Sequence, residues 1–390
     1  MPQPDLRAPL RLATTIRPYD WGSVTALPEL FGTEPTGQPQ AELWMGAHPG
    51  APSTVGGVPL DAVIAADPAA ALGPATAGRF GGRLPYLLKV LAVARPLSLQ
   101  VHPSAEQARA GFAAENARGV PLDARERTYK DDSHKPEMVC ALTPFHGLCG
   151  FRSPAATAAL LDRLGVPGLR PWIETLRGEE PGAALRAVFA QMLDDAAAPL
   201  REQVERALLA AAAEPELAPY AEVARACPGD RGVTAALLLH HVDLAPGEAL
   251  YLGAGVPHAY LGGVGVEIMA NSDNVLRCGL TGKHVDVPEL MRVVAFTPGE
   301  PHRVPAEPGG PGESRYLPPA PEFALARHEL AGERAHELPG GVPQIVVCVE
   351  GEARLGGLTL RPGESAFLAA EVSSARLEGK GTAYRAAPGA

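Results

Sequence analysis

Several features are scarce in this 390-residue chain, and each scarcity argues against a class of protein. The five cysteines form no CxxC pair, which argues against a disulfide framework and against a cysteine zinc site. No block of basic residues occurs and the formal net charge is −10, so nucleic acid is not expected as a partner. No run approaches the ~18 apolar residues of a membrane span, and the amino terminus lacks a signal-peptide core. We therefore expect a soluble, cytoplasmic protein without a membrane partner.

Glycine and proline, by contrast, are abundant, with 43 and 41 residues. They are spread along a chain that is 46% hydrophobic, which excludes global disorder and suits many short strands joined by turns. The length predicts two to three domains. Short apolar runs punctuated by Pro and Gly recur at residues 83–101, 134–152 and 231–280, and they predict a β-barrel or a β-sandwich.

Residues 154–226 have a different composition, rich in Ala, Leu, Arg and Glu. Five apolar side chains there follow the spacing of one helical face: Leu185, Val188, Phe189, Met192 and Leu193. Because strand-rich sequence lies on both sides, we favour a helical subdomain inserted into a β fold, with a separate helical domain as the alternative. The segment 297–321, dense in Pro and Gly, predicts a linker or a long surface connection before a second, smaller β unit.

A short repeat connects the two β units. LAPGEALYLGA at 244–254 is matched by LRPGESAFLAA at 360–370. The first copy continues as GVPHAYL and carries a histidine, whereas the second continues as EVSSARL and carries none. A repeated barrel module is the simplest interpretation, and only its first copy can use that position as a metal ligand.

Three segments carry candidate metal ligands. Gln100 and His102 stand at i and i+2 in LSLQVHPS, a spacing that points both side chains to one face of a strand. Glu137 opens an apolar strand after His134 and Lys135, and His258 follows a strand at a glycine-flanked turn. Each feature alone also fits an ordinary hydrogen-bonded or surface strand. Together they supply nitrogen and oxygen donors without thiolate, which suits catalytic zinc or another borderline divalent metal.

A further polar segment, residues 266–286, contains Glu267, Asn271, Asp273, Asn274, Arg277, Lys283 and His284. A solvated loop is the alternative interpretation. The apolar neighbours of Arg277 in VLRC disfavour a purely solvated role for its guanidinium.

With these residues in view, the chain resembles the type I phosphomannose isomerases of the cupin superfamily. The motifs that carry the resemblance are RPYDWGS at 17–23, AELWMGAHPGAPS at 41–53, LPYLLKVLAVARPLSLQVHPS at 84–104, YKDDSHKPEM at 129–138, GVPHAYL at 255–261 and ANSDNVLRCGLT at 270–281. One departure is visible, because Gly282 stands where the family usually has proline. Glycine relaxes the φ restraint of proline, so this loop is expected to be less rigid.

The resemblance implies a fold that is mainly β, with two cupin-like jelly-roll barrels and an inserted helical subdomain. We predict a catalytic cupin domain of residues 1–153 with 231–300, a helical subdomain of 154–230, and a linker with a degenerate cupin-like domain in 301–390. The oligomeric state stays open, and a monomer is compatible with the sequence.

For the site, the resemblance implies one Zn²⁺ per chain held by Gln100, His102, Glu137 and His258. It implies catalytic roles for Arg277, Glu267 and Lys135, and it implies substrate contacts for Trp21, Ser98, His134, Tyr260 and Asp273. The expected reaction interconverts mannose 6-phosphate and fructose 6-phosphate through a cis-enediol. Glu267 and a zinc-bound water or hydroxide are both able to transfer the proton, and Arg277 and Lys135 are both able to meet the phosphate.

Two rival functions follow from the same barrel. One is another metal-dependent cupin enzyme, such as an oxygenase or a related sugar-phosphate isomerase. A glutamine ligand disfavours the oxygenase. A non-catalytic sugar-binding cupin is disfavoured by the complete ligand set.

Overall fold

Two large antiparallel sheets and a helical block make up the part of the chain that the computed structural model describes, residues 4–178 and 180–389. The strands are β1 (Leu10–Leu12), β2 (Thr15–Arg17), β3 (Glu42–Gly46), β4 (Thr54–Val55), β5 (Val58–Pro59), β6 (Tyr86–Val93), β7 (Leu99–Val101), β8 (Glu137–Ala141), β9 (Phe145–Phe151), β10 (Leu239–Leu244), β11 (Ala249–Leu252), β12 (His258–Ala270), β13 (Leu276–Gly279), β14 (Arg303–Val304), β15 (Glu307–Gly310), β16 (Glu313–Tyr316), β17 (Ala324–Pro339), β18 (Gln344–Leu355), β19 (Leu358–Leu360), β20 (Ser365–Leu368) and β21 (Ser374–Ala387). The α-helices are α1 (Ala26–Phe31), α2 (Leu60–Ala66), α3 (Pro68–Leu72), α4 (Pro74–Arg79), α5 (Ala105–Ala117), α6 (Pro154–Arg163), α7 (Arg170–Gly178), α8 (Pro181–Leu193), α9 (Ala198–Ala210), α10 (Ala218–Ala226), α11 (Gly232–Ala236) and α12 (Val287–Val293).

The first large sheet is organised around β12. Its strands run in the order β14-β11-β8-β12-β6-β3-β2, and β7, β9, β10 and β13 join at the other half of β12. The carboxyl half of β12 pairs with β6 and β8, whereas its amino half pairs with β7 and β9. The second large sheet has the order β1-β20-β18-β21-β17-β16-β15, with β19 on β18. Both are cupin-like sheets rather than closed barrels, and the predicted mainly β fold with inserted helices is confirmed.

The helical block lies between two strands that are neighbours in the sheet. Strands β9 and β10 flank helices α6 to α11 and pair antiparallel with each other. The apolar face predicted for α8 is buried along its whole length. Phe189 of that face packs edge-on against Phe151 at the end of β9, with ring centroids 5.8 Å apart. The block is therefore anchored at the strand from which it leaves the sheet.

The segment expected to be a linker contains strands instead. Residues 303–304 form β14 on β11, and residues 307–316 form the β15–β16 hairpin of the second sheet. The hairpin turns at Gly312, whose φ of +77° is one that glycine readily adopts. Pro308 is tolerated because β15 is an edge strand, where a missing N–H breaks no ladder. Proline and glycine here mark an edge and a turn, not an unstructured connection.

The two sheets share one apolar core. Side chains of the first sheet, such as Tyr86 and Met138, lie in the same cluster as Phe367 and Tyr384 of the second. The first strand of the chain, β1, pairs with β20 and so belongs to the second sheet, although the predicted division assigns residues 1–153 to the first unit. Within the described residues, no helix is both long and apolar enough to cross a bilayer.

Candidate metal centre and active-site cleft

Three neighbouring strands present candidate site residues in register. Gln100 on β7 lies opposite His258 on β12, and on the other side it lies opposite Arg277 on β13. Residues directly opposite in an antiparallel ladder share a face of the sheet. His102 follows two residues after Gln100 and points to that same face. Immediately afterwards, Ser104 begins α5 with a capping box, which fixes the chain just beyond the ligand segment.

The donor atoms of three buried residues converge on one point. Nε2 of His102 lies 3.3 Å from Oε2 of Glu137, and Nε2 of His258 lies 3.4 Å from the same oxygen. The two imidazole centroids are 5.1 Å apart. These separations place two nitrogens and one oxygen around a volume that a small cation would fill.

Backbone carbonyls select the ring nitrogen that each histidine offers. Nδ1 of His102 is 2.7 Å from the carbonyl oxygen of Asn274, and Nδ1 of His258 is 2.9 Å from that of Val256. Because a carbonyl oxygen only accepts, each Nδ1 must carry the hydrogen and donate it. The Nε2 lone pairs are then directed into the cluster, and Nε2 of His102 has no hydrogen-bond partner among the described atoms. This is the arrangement that outer hydrogen bonds give to metal-binding histidines.

Gln100 supplies the fourth position. Its amide nitrogen lies 3.4 Å from Nε2 of His258, and its Oε1 accepts a hydrogen bond from Ser98 Oγ at 3.2 Å. The oxygen and nitrogen of an amide are assigned from their surroundings, and a half-turn of the amide directs Oε1 into the cluster. The four side chains then form an N₂O₂ donor set that fits zinc.

Electrostatics keep the Glu137 carboxyl ionised. Burial alone would raise its pKa, but the interactions with His102 and with the ammonium of Lys135 outweigh burial and hold the pKa well below the usual range. Nζ of Lys135 is 3.2 Å from Oε1 of Glu137. Burial likewise lowers the pKa of His102, which favours the neutral, metal-binding imidazole.

These residues form the floor of a cleft of about 670 Å³. The predicted site residues that line it are Trp21, Ser98, Gln100, Lys135, Glu137, Tyr260, Glu267, Asp273 and Arg277. His102 and His258 are buried behind the floor. His134 lies elsewhere: its Nε2 is 2.7 Å from Oε1 of Glu322, and it does not line the cleft. The substrate contact expected for His134 stays a prediction.

Two cleft-lining cations of β13 and the loop that follows it lack a carboxylate partner. Within residues 4–178 and 180–389, no acidic side chain lies within ion-pair distance of Arg277 or Lys283. Burial lowers the pKa of Arg277. Burial also lowers the pKa of Lys283, and the nearby charge of Arg277 lowers it further. The half-buried guanidinium of Arg277 and the exposed ammonium of Lys283, whose charge Asp20 opposes only in part, form a binding site for an anion.

Another wall of the cleft carries a buried network of charged side chains. The sequence analysis identified Glu267 in it but not Lys89 or Glu42. Nζ of Lys89 lies 3.0 Å from Glu267 and 3.5 Å from Glu42, and Tyr260 donates its hydroxyl hydrogen to Glu267 at 2.9 Å. Burial raises the pKa of Glu267, while the charge of Lys89 opposes that shift. Although burial disfavours its charge, the two carboxylates raise the pKa of Lys89. A lysine inside the apolar run YLLKVLAV was the available signal for Lys89.

The cupin-like sheet holds a buried N₂O₂ donor set, which opens to a cleft with free cations. This combination is typical of a metal-dependent cupin enzyme that acts on an anionic substrate. Residues 10–154 match the catalytic domain of type I phosphomannose isomerase, and residues 313–388 match the cupin domain of mannose-6-phosphate isomerase. The chain belongs to the type I phosphomannose isomerase family, as its resemblance predicted.

Individual relatives match over almost the whole chain. The mannose-6-phosphate isomerase of Escherichia coli K12 is 42% identical over 96% of this chain and 98% of its own length. The Bos taurus isomerase is 34% identical over 82% of each. A zinc-bound crystal structure of mannose 6-phosphate isomerase superposes with a TM-score of 0.90 at 40% identity, covering 98% of this chain and 100% of its own.

Proposed function

We propose that this chain is a zinc-dependent isomerase that interconverts mannose 6-phosphate and fructose 6-phosphate. The observation that carries the proposal is the pairing, in one cleft, of a buried N₂O₂ donor set with two unneutralised cations. A phosphosugar has the matching chemistry, because its hydroxyl and carbonyl oxygens suit the metal end and its phosphate suits the cations. The relatives described above are mannose-6-phosphate isomerases.

The metal ligands proposed are Gln100, His102, Glu137 and His258, with one zinc per chain. When bound, zinc supplies Lewis-acid polarisation of a sugar oxygen. Lys135 contacts Glu137 and holds that carboxyl in its ionised, ligating form. We assign Lys135 to this end of the cleft because its ammonium is already engaged there.

We assign each of the two free cations, Arg277 and Lys283, to a different negatively charged group of the substrate. Arg277 lies beside Gln100 in the ladder, so we assign it to the oxygen on which negative charge develops in the enediolate. Lys283, further along the same loop, is assigned to the phosphate. A guanidinium enclosed by protein interacts more strongly with a developing charge than one in bulk water does.

Glu267 is the proposed base. In the forward direction its carboxylate takes the proton from C2 of the aldose and returns it to C1, while a second proton moves between the oxygens on those carbons. Hydrogen bonds from Tyr260 and Lys89 orient the carboxylate at the cleft wall. Burial raises its pKa, which brings a carboxyl group closer to the value suited to proton transfer near neutrality. Trp21, Ser98 and Asp273 line the cleft around these groups.

We retain the division into a catalytic unit of 1–153 with 231–300, a helical unit of 154–230 and a carboxyl-terminal unit of 301–390 as a proposal, with β1 transferred to the last. We also propose a cytoplasmic location, because all five cysteines are free and several are buried, which suits a reducing compartment.

The test is a coupled isomerase assay on mannose 6-phosphate, before and after dialysis against a chelator. We expect turnover that the chelator abolishes and Zn²⁺ restores, with about one zinc per chain in the active protein. In His258→Ala, zinc content and activity should fall together. A zinc-loaded chain without activity on this substrate would contradict the proposal, and an iron-dependent oxygen uptake would favour the oxygenase alternative.

A further inference from the structure

We infer that His146, His241 and Asp243 form a second divalent-metal site, separate from the active-site cleft, which takes a borderline cation such as Zn²⁺. One donor atom from each residue lies within 4.8 Å of the others. None of the three is among the described residues that line the cleft. The inference does not depend on the isomerase activity.

The strand register brings the three side chains to one face. Asp243 on β10 lies directly opposite His146 on β9, and His241 lies two residues away, opposite Leu148. Side chains at opposite and next-nearest positions of one face are within reach of each other. The imidazole centroids of His146 and His241 are 5.8 Å apart, and Nδ1 of His241 is 3.5 Å from Oδ2 of Asp243.

The neighbouring strand leaves room for this cluster. Gly262 on β12 pairs with His146, and a Cβ atom at Gly262 would come within 2.5 Å of Nε2 of His146. The imidazole of His146 therefore occupies the space that a side chain at residue 262 would take. A ring held this way loses little freedom when it binds a ligand, which favours a preformed site.

The donor chemistry suits zinc. Two imidazoles and one carboxylate are a common set of three protein ligands, with a further position left for water. Asp243 is 80% exposed at its side chain, so a cation can enter from solvent.

Fixed positive charges near the cluster limit its affinity for a cation. The guanidinium of Arg152, which acts on His241, is held by Leu239 O at 2.9 Å and Tyr220 Oη at 2.6 Å, and the guanidinium of Arg303 donates to the Asp243 carbonyl at 2.8 Å. A fixed positive charge near the site weakens cation binding. We therefore expect this site to be weaker than the buried N₂O₂ site and to fill only after it.

The location gives the site a structural consequence. Strand β9 leads into the helical block and β10 leads out of it, so a metal here would join the two ends of the block. The contact between Asp243 and His241 lies within β10, so it does not itself link the two strands. A metal that binds the folded site and not the unfolded chain stabilises the folded state, so added metal should raise the unfolding temperature.

The experiment starts from the enzyme with one tightly bound zinc, freed of excess metal. Zn²⁺ is titrated into it by calorimetry, and the stoichiometry is checked by native mass spectrometry. We expect a second, weaker equivalent in the wild type that is lost in His146→Ala and weakened at least tenfold in Asp243→Asn. Asp243 is exposed, so its variant also tests the site if the histidine variant fails to fold.

The matched control is His240→Ala, which removes the neighbouring half-exposed histidine from outside the cluster. It should retain the second equivalent and the rise in unfolding temperature with added Zn²⁺. A wild type that binds only one zinc, or an Asp243→Asn variant that binds the second as tightly as the wild type, would overturn the inference. Loss of the first zinc would instead concern the N₂O₂ site, so the two results are distinguishable.

Discussion

The role of Arg277 can be assigned because its guanidinium lacks an acidic partner. Its guanidinium is half-buried, faces the cleft and has no acidic partner among the described residues, so its charge is available to a substrate. In Arg277→Ala, turnover should fall on the order of a hundredfold or more, because an enclosed donor to a developing oxyanion is lost. Lysine should restore only part of it, since a point charge does not reproduce the planar fork. Steady-state kinetics with metal analysis measures both effects.

Lys283→Ala is the companion variant for this prediction. Its loss should raise KM with little change in kcat, because a phosphate contact acts equally on the ground state and the transition state. If Arg277→Ala also changes only KM, then Arg277 is a phosphate ligand and the assignment to the enediolate is wrong.

Glu267 offers a second test at this scale. Glu267→Gln keeps the size of the side chain and one of the two oxygens that accept from Tyr260 and Lys89, but it removes the basic carboxylate. Turnover should fall about 10²- to 10⁴-fold while the zinc content stays unchanged. Glu174→Gln, at an exposed carboxylate outside the cleft that pairs with Arg170, serves as the control and should change turnover little. Deuterium uptake from solvent into the sugar at the wild-type rate in Glu267→Gln would exclude Glu267 as the base.

The individual residues also show what a sequence can predict. Gln100 and His102 were predictable as a pair because strand side chains alternate with a period of two. His134 was not, because it is adjacent in sequence to Lys135 yet reaches Glu322 outside the cleft. Lys89 was hidden in an apolar strand, and only the structure shows that Glu42 and Glu267 neutralise it.

At the scale of elements, the loop after β13 depends on the helical block. The carboxylate of Asp230 accepts hydrogen bonds from the backbone N–H of Leu280 at 2.6 Å and of Thr281 at 3.1 Å. Leu280 is held at φ +57°, a conformation that costs a non-glycine residue about 1–3 kcal/mol unless its surroundings impose it. A Cβ atom at Gly282 would meet no neighbour, and besides a 3.4 Å hydrogen bond from Arg125 to the Gly282 carbonyl, the restraint on this loop comes from Asp230.

Asp230→Ala should therefore release the loop that carries Lys283. We expect KM for the phosphosugar to rise about tenfold, equivalent to about 1.4 kcal/mol, with a smaller change in kcat and unchanged zinc. Asp195→Ala, which removes an exposed ion pair with Arg231 in the same block, is the control. An unchanged KM in Asp230→Ala would show that the loop is held by other contacts.

The repeated PGE segments show that local sequence can determine an element twice. In the first copy, Glu248 Oε2 accepts from the N–H of Ala245 at 2.8 Å, and in the second, Glu364 Oε2 accepts from that of Arg361 at 2.8 Å. The glycine before each glutamate has a φ near +87° and +85°. The predicted repeat is thus a shared turn geometry. The strands at 303–316 escaped prediction because their pairing is set by distant partners, not by local composition.

The whole molecule behaves as two sheets around a shared core. The hydroxyl group of Tyr86, in β6, lies 3.2 Å from the carbonyl oxygens of Pro343 and Ala386 in the second sheet. Sγ of Cys140 in the first sheet lies 3.6 Å from the hydroxyl of Tyr384 in the second. Because such contacts cross between the sheets throughout the core, loss of packing in one exposes apolar surface in the other. We expect both sheets to unfold in a single transition.

This coupling predicts an acid sensitivity that originates in the second sheet. His328 on β17 is 1% exposed, and burial, assisted by the charges of Arg385 and His336, lowers its pKa to about 3. Glu313 and Arg315 also face it, and Glu313 partly opposes the shift. As the pH falls below about 6.5, the unfolded chain binds a proton that the folded chain does not bind until about pH 3. Stability is therefore lost across that window, at about 1.4 kcal/mol per pH unit.

In His328→Leu this contribution disappears, so the change in urea midpoint between pH 7 and pH 5 should be smaller than in the wild type, by about 2 kcal/mol in free energy. The three tryptophans, Trp21, Trp44 and Trp172, all lie outside the second sheet, so their fluorescence reports unfolding of the rest of the molecule. Replacing the exposed His302 by leucine is the matched control, and it should leave the pH dependence as it is. If the tryptophan signal keeps its wild-type pH dependence in His328→Leu while circular dichroism of the strands does not, the sheets unfold independently and the shared core does not couple them.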